Sequence, residues 1–158
     1  MTDNKRQRQR SDYPFFLSYR TRWSDNDQYA HLNNTTYYHL FDAIINTYLI
    51  HHCGLDPRAR PFIGLVVSSF CEYFSPLSFP DVLDLGLRVT HLGKSSVTYE
   101  VGVFKARIDH LHAPAAVGGY THVFVDNISR KSVAMSNGMR NGLLRLVKQT
   151  DGRTMSKL

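Results

Sequence analysis

Residues 35–53 carry the most regular alternation of apolar and polar positions in the chain. Apolar side chains recur there at intervals of three and four residues, which is the spacing of one helix face; they are Tyr37, Leu40, Phe41, Ile44, Ile45, Tyr48 and Leu49. Asn33, Asn34 and Thr35 are all favourable N-cap residues, and Gly54 suits the left-handed conformation that ends many helices. The pattern predicts a long helix whose apolar side packs against a sheet or another helix.

The rest of the chain shows the two-residue alternation and the β-branched and aromatic residues of strands. Strands are predicted over 15–23, 62–74, 81–91, 97–107 and 116–126, with a short extension at 132–134 and a final helical turn or two over 141–147. One strand, a long helix and four further strands with short connections are typical of an α+β domain with an antiparallel sheet against the helix. Such a sheet leaves edges that need burial, which favours a homo-oligomer.

Length and composition limit the class of protein. A chain of 158 residues suffices for one domain with a proper core. Its apolar runs fall far below the roughly 18 residues that a membrane helix needs, so no membrane span is expected. Its two cysteines, Cys53 and Cys71, fit neither a disulfide framework nor a metal cluster. We therefore expect two core thiols in a reducing compartment.

The formal charge of +6 would favour polyanionic ligands, but four of the cations lie in the first twelve residues. We expect 1–12 to be a disordered basic tail, because it has little apolar content. The remaining domain, 13–148, is only mildly basic. This mild charge weakens the case for a nucleic-acid partner and is compatible with a small phosphate-bearing ligand.

The chain ends on an expected exposed tail over 149–158, and its last three residues, Ser156, Lys157 and Leu158, match a peroxisomal address. In a eukaryotic protein this tripeptide predicts recognition by the peroxisomal import receptor. In a bacterial protein it carries no meaning, and the cytoplasm is expected.

The loop before the long helix concentrates the candidate chemistry, with Asp25, Asp27, His31 and the Asn33-Asn34 pair delivered to the helix N-terminus. The free N–H groups and positive partial charge of that end can polarise a carbonyl or hold an anion. A carboxylate beside such donors is the minimal equipment for hydrolysing an acyl group. The histidines elsewhere show no metal-ligand spacing, so no metal is expected.

The pattern Trp23-x-Asp25-x-Asp27-x-x-x-His31-x-Asn33-Asn34-x-x-Tyr37 resembles the start of hotdog-fold thioesterases of the 4-hydroxybenzoyl-CoA and acyl-CoA type. It is also similar to plant acyl-ACP thioesterases. The segments 79–83 and 123–126 resemble the bend before the family's third strand and its last core strand. The resemblance covers about 15–148 and implies a hotdog fold, in which an antiparallel sheet wraps around one central helix, as a homodimer or homotetramer.

The resemblance also implies roles for individual residues. Asp27 matches the catalytic carboxylate, acting as general base or nucleophile, and the backbone N–H at Asn34 matches the donor to the thioester carbonyl. His31 matches the histidine of the acyl-ACP branch. Substrate contacts are implied at Asn33, Tyr37, Lys94 and Ser95, the last two in a turn that meets nucleotide phosphates in CoA-using relatives. No cofactor is implied, because CoA enters only as part of the substrate.

Three positions depart from the family's pattern. Ala30 stands where many bacterial members have glycine, and Asp42 replaces the usual glutamate on the helix. Tyr29 stands where the acyl-ACP branch has a catalytic asparagine, which favours the simpler mechanism centred on Asp27.

An acyl-CoA thioesterase is the function expected, with two alternatives left open. A hotdog enoyl-CoA hydratase also places Asp and His here, but its Asn-Pro between them is missing. The second alternative is a non-catalytic module that binds acyl-CoA or an acyl carrier. In such a module Asp27 would only accept hydrogen bonds from loop amides. The sequence leaves open the length of the acyl chain and whether it is aromatic or aliphatic. It also leaves open whether CoA or a carrier protein is the acyl donor, and whether the protein is a dimer or a tetramer.

Overall fold

The computed structural model describes residues 3–59, 61–106 and 113–147. These form strands β1 (Phe15–Arg20), β2 (Phe62–Tyr73), β3 (Val82–Leu92), β4 (Ser96–Lys105) and β5 (Ala116–Asp126), and helices α1 (Asn34–His52) and α2 (Asn137–Leu144). The strands make one sheet in the order β1-β3-β4-β5-β2, and every neighbouring pair is antiparallel. The predicted α+β fold, an antiparallel sheet around one long helix, is confirmed.

Helix α1 is the centre of the core. All seven residues of its predicted apolar stripe are buried. The side chain of Asn33 caps the first turn by accepting from the N–H of Thr35 at 3.0 Å, and Gly54 ends the helix with a φ of 70°. We call the sheet face that packs on α1 the inner face and the opposite face the outer face. A Cβ atom on Gly118 would overlap the ring of Phe41, so glycine lets α1 approach the sheet closely there.

Three elements differ most from the sequence prediction. Strand β1 ends at Arg20, because Trp23–Asp25 forms a 3-10 turn that redirects the chain towards α1. Helix α2 begins at Asn137, where the side chain of Ser136 caps it at the N–H of Met139. The short extension reduces to a single bridge between Val125 and Ser132.

The prediction of a disordered basic tail is wrong for residues 3–12. This segment forms two 3-10 turns, Lys5–Gln7 and Arg10–Asp12, and crosses the outer face of the sheet. Its cations meet carboxylates of the sheet: Lys5 pairs with Glu72, Arg8 with Glu100 and Arg10 with Asp84. The positive charge of this segment, which by itself indicates disorder, is therefore neutralised by carboxylates from β2, β3 and β4.

The proposed targeting tripeptide and the rest of 149–158 lie outside the described residues, as does the 107–112 segment. Within the described residues, no helix combines the length and hydropathy needed to cross a bilayer.

Candidate active site

The loop between β1 and α1 is a small hairpin clamped onto the bend after β2. Asn26 and Leu32 form an antiparallel bridge. The N–H of Leu32 donates to the carbonyl of Leu77 at 2.6 Å, and the N–H of Phe79 donates to the side-chain oxygen of Asn26 at 3.0 Å. Because both arms are anchored, the tip of the hairpin is held in place in front of the N-terminus of α1.

The tip contains a residue in the left-handed conformation. Ala30 has a φ of 61°, a region that costs an L-residue with a Cβ atom about 1–2 kcal/mol. This is the position at which the resembled family often has glycine, so the backbone geometry explains that preference. The conformation lets the chain reverse between Asp27 and His31, whose backbones are joined by a 2.7 Å bond from the N–H of Asp27 to the carbonyl of His31.

The Asp27 carboxylate has one oxygen tied to the loop and one left over. Oδ1 accepts from the N–H of Tyr29 at 2.7 Å and from the N–H of His31 at 3.2 Å. Oδ2 accepts no hydrogen bond from any residue in the described parts of the chain. The two anchoring bonds therefore orient the carboxylate while its second oxygen stays available to a water molecule or a substrate carbon.

The N-terminus of α1 presents a donor to the same place. Asn33 uses its side-chain oxygen to cap Thr35, and its own N–H donates to the carbonyl of Asp25 at 2.8 Å. The next N–H, that of Asn34, has no acceptor among the described residues, as expected for the first residue of a helix. Together with the partial positive charge of a 19-residue helix, it forms a donor suited to a polarised carbonyl oxygen.

These groups border one cavity of about 580 Å³. It is lined by Asp27, His31, Leu32, Asn34, Tyr37, Tyr73, Phe74, Ser75, Pro76 and Leu77. Four residues singled out from the sequence, Asp27, His31, Asn34 and Tyr37, therefore meet around it. Tyr37 is almost fully buried and packs edge-on against Tyr73, with ring centroids 5.0 Å apart; burial raises its pKa to about 12.

Three predicted substrate contacts do not line this cavity. The Asn33 side chain is occupied as the helix cap. Lys94 and Ser95 lie in the β3–β4 turn, whereas the cavity adjoins the opposite end of β3, where Val82 pairs with Arg20. At about 3.3 Å per residue along β3, that turn is roughly 30 Å away. Within one copy of the chain, Lys94 and Ser95 therefore lie far from the Asp27 cavity, and their contact with CoA phosphates stays a prediction.

The second loop carboxylate has a structural role. Asp25 accepts from the N–H of Arg22 at 2.8 Å and from the Tyr19 hydroxyl at 2.9 Å. It closes the 3-10 turn that leads from β1 into the hairpin. Asp25 thus contacts Arg22 through the backbone N–H of Arg22, while the Arg22 guanidinium lies over the Tyr19 ring.

The residues that the sequence did not reveal come from the far side of the cavity. Tyr73 to Leu77 end β2 and turn before β3. The only local signal was Pro76, which marks a bend. Nothing in the alternation of β2 shows that its last inward residue, Tyr73, would meet Tyr37, because their contact depends on how α1 crosses the sheet.

The thiols and the possible metal ligands add no chemistry to this site. Burial raises the pKa of both Cys53 and Cys71 to about 11, so neither is a thiolate near neutral pH. Across residues 3–59, 61–106 and 113–147, no three His, Cys, Asp or Glu side chains are grouped as metal ligands.

With the geometry established, comparison with known proteins identifies the family. The thioesterase superfamily model matches residues 29–112, more than half of the chain. The PA5185 protein of Pseudomonas aeruginosa strain PAO1 is 44% identical; the match covers 90% of this chain and 98% of that protein, with a TM-score of 0.84. The chain belongs to the thioesterase superfamily, and its fold is the hotdog fold.

More distant solved structures share the fold. A 1,4-dihydroxy-2-naphthoyl-CoA thioesterase from Synechocystis is 14% identical, with a TM-score of 0.74 over 82% of this chain and 95% of that one. A thioesterase from Thermus thermophilus, complexed with coenzyme A and Zn, is 20% identical, with a TM-score of 0.69 over 85% and 95%. No curated protein matches the chain.

Proposed function

We propose that this member of the thioesterase superfamily hydrolyses acyl-CoA thioesters to a free acid and CoA in the Asp27 cavity. The observation that supports it most is that two groups without a hydrogen-bond partner among the described residues, Oδ2 of Asp27 and the N–H of Asn34, belong to residues that line the same cavity. The Asp27 carboxylate accepts a proton from water or attacks the thioester carbon. The Asn34 N–H stabilises the thioester carbonyl oxygen, which becomes negative.

The proposed reaction begins with the thioester carbonyl oxygen at the Asn34 N–H. Asp27 takes a proton from a water molecule, whose oxygen adds to the carbonyl carbon and gives a tetrahedral oxyanion. Collapse breaks the C–S bond, and the proton passes to the departing CoA sulfur. Alternatively, the Asp27 carboxylate adds directly to the carbonyl carbon, CoA leaves as the thiolate, and water hydrolyses the resulting anhydride and supplies the proton that converts the thiolate to the thiol. A single turnover in oxygen-18 water separates the two routes, because only the second puts label into the Asp27 carboxylate.

A thiol-release assay over saturated acyl-CoA esters of increasing length, with benzoyl-CoA for aromatic substrates, tests the proposal. Release of CoA that depends on Asp27 supports it. Tight binding without release would indicate a binding module. Water addition to an enoyl-CoA, with no release from saturated esters, would indicate a hydratase.

We propose further that the working form is a homodimer or homotetramer joined through β2. This 12-residue strand is an edge of the sheet, and Leu65, Val66 and Val67 are 39%, 51% and 60% exposed. An apolar edge of this length calls for a partner strand. Sedimentation of the protein and of Val66→Lys tests this assignment, since a charge at the edge should yield monomers.

Antiparallel pairing of two β2 strands would bring the β3–β4 turn of one copy to the end of the sheet that carries Asp27 in the other. Lys94 could then meet CoA phosphates across the interface. Lys94→Ala should raise KM for an acyl-CoA more than for the matching acyl-pantetheine, which lacks the nucleotide. Equal changes in KM for the two esters would show that Lys94 does not contact the nucleotide of CoA.

The cellular location is likewise a proposal. If the chain is eukaryotic, Ser156, Lys157 and Leu158 would deliver it to peroxisomes through the import receptor. Imaging a fluorescent fusion with and without the tripeptide tests this; a cytoplasmic signal from both would contradict it.

A further inference from the structure

The far wall of the Asp27 cavity, residues 74–77, has a second cavity behind it. All four residues line the Asp27 cavity of about 580 Å³, and all four also line a cavity of about 360 Å³ that Arg6 borders from the N-terminal segment. A stretch of chain with a cavity on each side lacks the close packing that holds most interior side chains in one position. The position of the 74–77 wall therefore depends on the few contacts that reach it.

Backbone hydrogen bonds hold the two ends of this wall. The N–H groups of Phe74 and Ser75 both donate to the carbonyl of Ala115, at 2.8 and 3.1 Å, and the carbonyl of Leu77 accepts from the N–H of Leu32 at 2.6 Å. These bonds fix the backbone where the wall begins and where it ends. They do not fix the side chain of Phe74, which is half-buried and borders both cavities.

The side chain of Phe74 is held from the second cavity by Arg6. The Arg6 guanidinium lies over the Phe74 ring, 5.4 Å from the ring centroid, which is within the range of a cation–π contact. Lys5, Arg8 and Arg10 of the same segment each pair with a carboxylate of the sheet, whereas the Arg6 guanidinium has no such partner among the described residues. The aromatic ring is therefore the group that positions this cation.

Lys5 braces the strand just before the wall. Its ammonium pairs with Glu72 at 2.9 Å and lies 5.4 Å from the centroid of the Phe70 ring. Because side chains alternate along a strand, Phe70 and Glu72 point to the outer face while Tyr73 points into the Asp27 cavity. The N-terminal segment and the cavity thus contact opposite sides of residues 70–74.

The other residues that line the Asp27 cavity indicate which part of a substrate meets the wall. Leu32, Tyr37, Tyr73 and Leu77 supply apolar surface, and none of the described residues lining this cavity is a lysine or an arginine. An apolar lining without a cation suits the acyl group of a thioester and not the phosphates of CoA.

We propose that Arg6 is a positioning residue, which fixes Phe74 and thereby limits the acyl groups that the Asp27 cavity admits. Without the cation over its ring, Phe74 is free to turn into the second cavity and leave a wider, less selective site. Arg6 acts on the fit of the acyl group and not on the chemical step, because it does not line the cavity that holds Asp27 and Asn34. This inference rests on the proposed thioesterase function and deepens it.

The test measures kcat and KM of the intact protein and of Arg6→Ala over butanoyl-, octanoyl-, dodecanoyl- and benzoyl-CoA. We expect Arg6→Ala to raise KM for the preferred ester about threefold or more, with kcat within about twofold. The ratio of kcat/KM between the preferred and the least preferred ester should fall by about threefold or more, because a displaced wall discriminates less.

Arg10→Ala is the matched control. Arg10 belongs to the same segment, pairs with Asp84 at 2.7 Å and lies 5.0 Å from the centroid of the Phe104 ring. Neither of these partners lines the Asp27 cavity. Loss of Arg10 should therefore lower the unfolding midpoint without changing the ratio between esters, which separates a general loss of stability from the effect on the wall.

A double-mutant cycle tests the contact itself. Phe74→Leu removes the ring and changes the ratio between esters on its own account, because Phe74 lines the cavity. Adding Arg6→Ala to that variant should then change KM and the ratio by less than about 1.5-fold, since the guanidinium has already lost its partner.

The outcomes separate the two proposals. An unchanged KM and ratio in Arg6→Ala, or the same fall of the ratio in Arg10→Ala, overturns the role of Arg6 and leaves the thioesterase function standing. A full effect of Arg6→Ala in the Phe74→Leu variant also overturns it, because the effect would then not depend on the ring. Failure of the intact protein to release CoA from every ester overturns the proposed function, and the role of Arg6 with it.

Discussion

Asp27 and His31 hold the hairpin tip closed by two bonds in opposite directions. The N–H of Asp27 donates to the carbonyl of His31 at 2.7 Å, and the N–H of His31 returns a bond to Oδ1 of Asp27 at 3.2 Å. One oxygen of the Asp27 carboxylate therefore accepts the loop hydrogen bonds, while the other is available to a group in the cavity. Its structural and catalytic roles can be separated by a substitution that preserves the first oxygen.

Asp27→Asn is that substitution. Its side-chain oxygen can accept both loop bonds, but it can neither take a proton from water nor attack carbon. We expect kcat/KM for acyl-CoA to fall by about 10²–10⁴-fold with little change in the unfolding midpoint. Asp25→Asn, two residues earlier and outside the cavity, should retain activity within a few-fold. Full activity in Asp27→Asn would exclude the mechanism.

The left-handed residue at the hairpin tip predicts a gain in stability from Ala30→Gly. Relief of about 1–2 kcal/mol at φ 61° outweighs the roughly 0.5–1 kcal/mol of extra chain entropy that glycine loses on folding. The reciprocal change, Gly54→Ala at φ 70° in open space, should lower stability by about 1 kcal/mol. Urea unfolding measures both. A loss of stability in Ala30→Gly would show that the Cβ atom of Ala30 makes stabilising packing contacts.

The N-terminal segment predicts an acid-sensitive contribution to stability. Glu100 is buried on the outer face and accepts from Arg8 at 2.9 Å and from the Tyr13 hydroxyl at 3.0 Å. Burial alone would raise its pKa, but hydrogen bonds and charges from Arg8 and Arg88 outweigh this and lower the pKa. The ionised form therefore stabilises the fold above the unfolded pKa of about 4.3. That stability is lost as pH falls through the lower folded pKa.

Arg8→Ala should cost about 1.5–3 kcal/mol at pH 7, because it removes a charged partner from a buried carboxylate. The cost should shrink as pH falls from about 4 through the lower folded pKa, below which the carboxyl is protonated in both states. Lys5→Ala, which breaks the more exposed pair with Glu72, should cost less than about 1 kcal/mol. Equal stabilities for all three proteins would mean that the segment contributes nothing.

Close packing of Tyr13 on the outer face gives a separate prediction. A Cβ atom on Gly102 would stand 2.7 Å from the Tyr13 ring, so Gly102→Ala should displace that ring and cost about 1–3 kcal/mol. Gly138, in α2, has no neighbour within 4 Å of an added Cβ. Gly138→Ala should instead stabilise by roughly 0.5–1 kcal/mol. Thermal unfolding of both variants checks the sign of each change.

The parts of the site that follow one another in the chain were predictable. Asp27, His31 and Asn34 lie within eight positions, and the apolar period after them places a helix start directly behind the carboxylate. Hydrogen bonds of a tight hairpin and the free N–H groups of a helix end are local, so the sequence carries them. For the same reason the bounds of α1 agree with prediction to within a residue at each end.

Contacts between distant strands were not predictable in this way. Arg8 meets Glu100 across 92 positions, and Gly64 lies against His122 only because β2 pairs beside β5. The cations of residues 3–12 indicated a disordered tail because their partners are spread over three strands. Lys94 was grouped with Asp27 by family pattern, whereas the direction of β3 separates them within one copy.

The sequence by itself determined the long central helix, the α+β class, and the approach of a carboxylate to a helix N-terminus, because each follows from periodicity or from neighbouring residues. Only the tertiary structure decided which wall closes the cavity, what covers the outer face, and where unpaired polar groups remain inside. Those depend on strand order and register, which bring together residues that no local pattern relates.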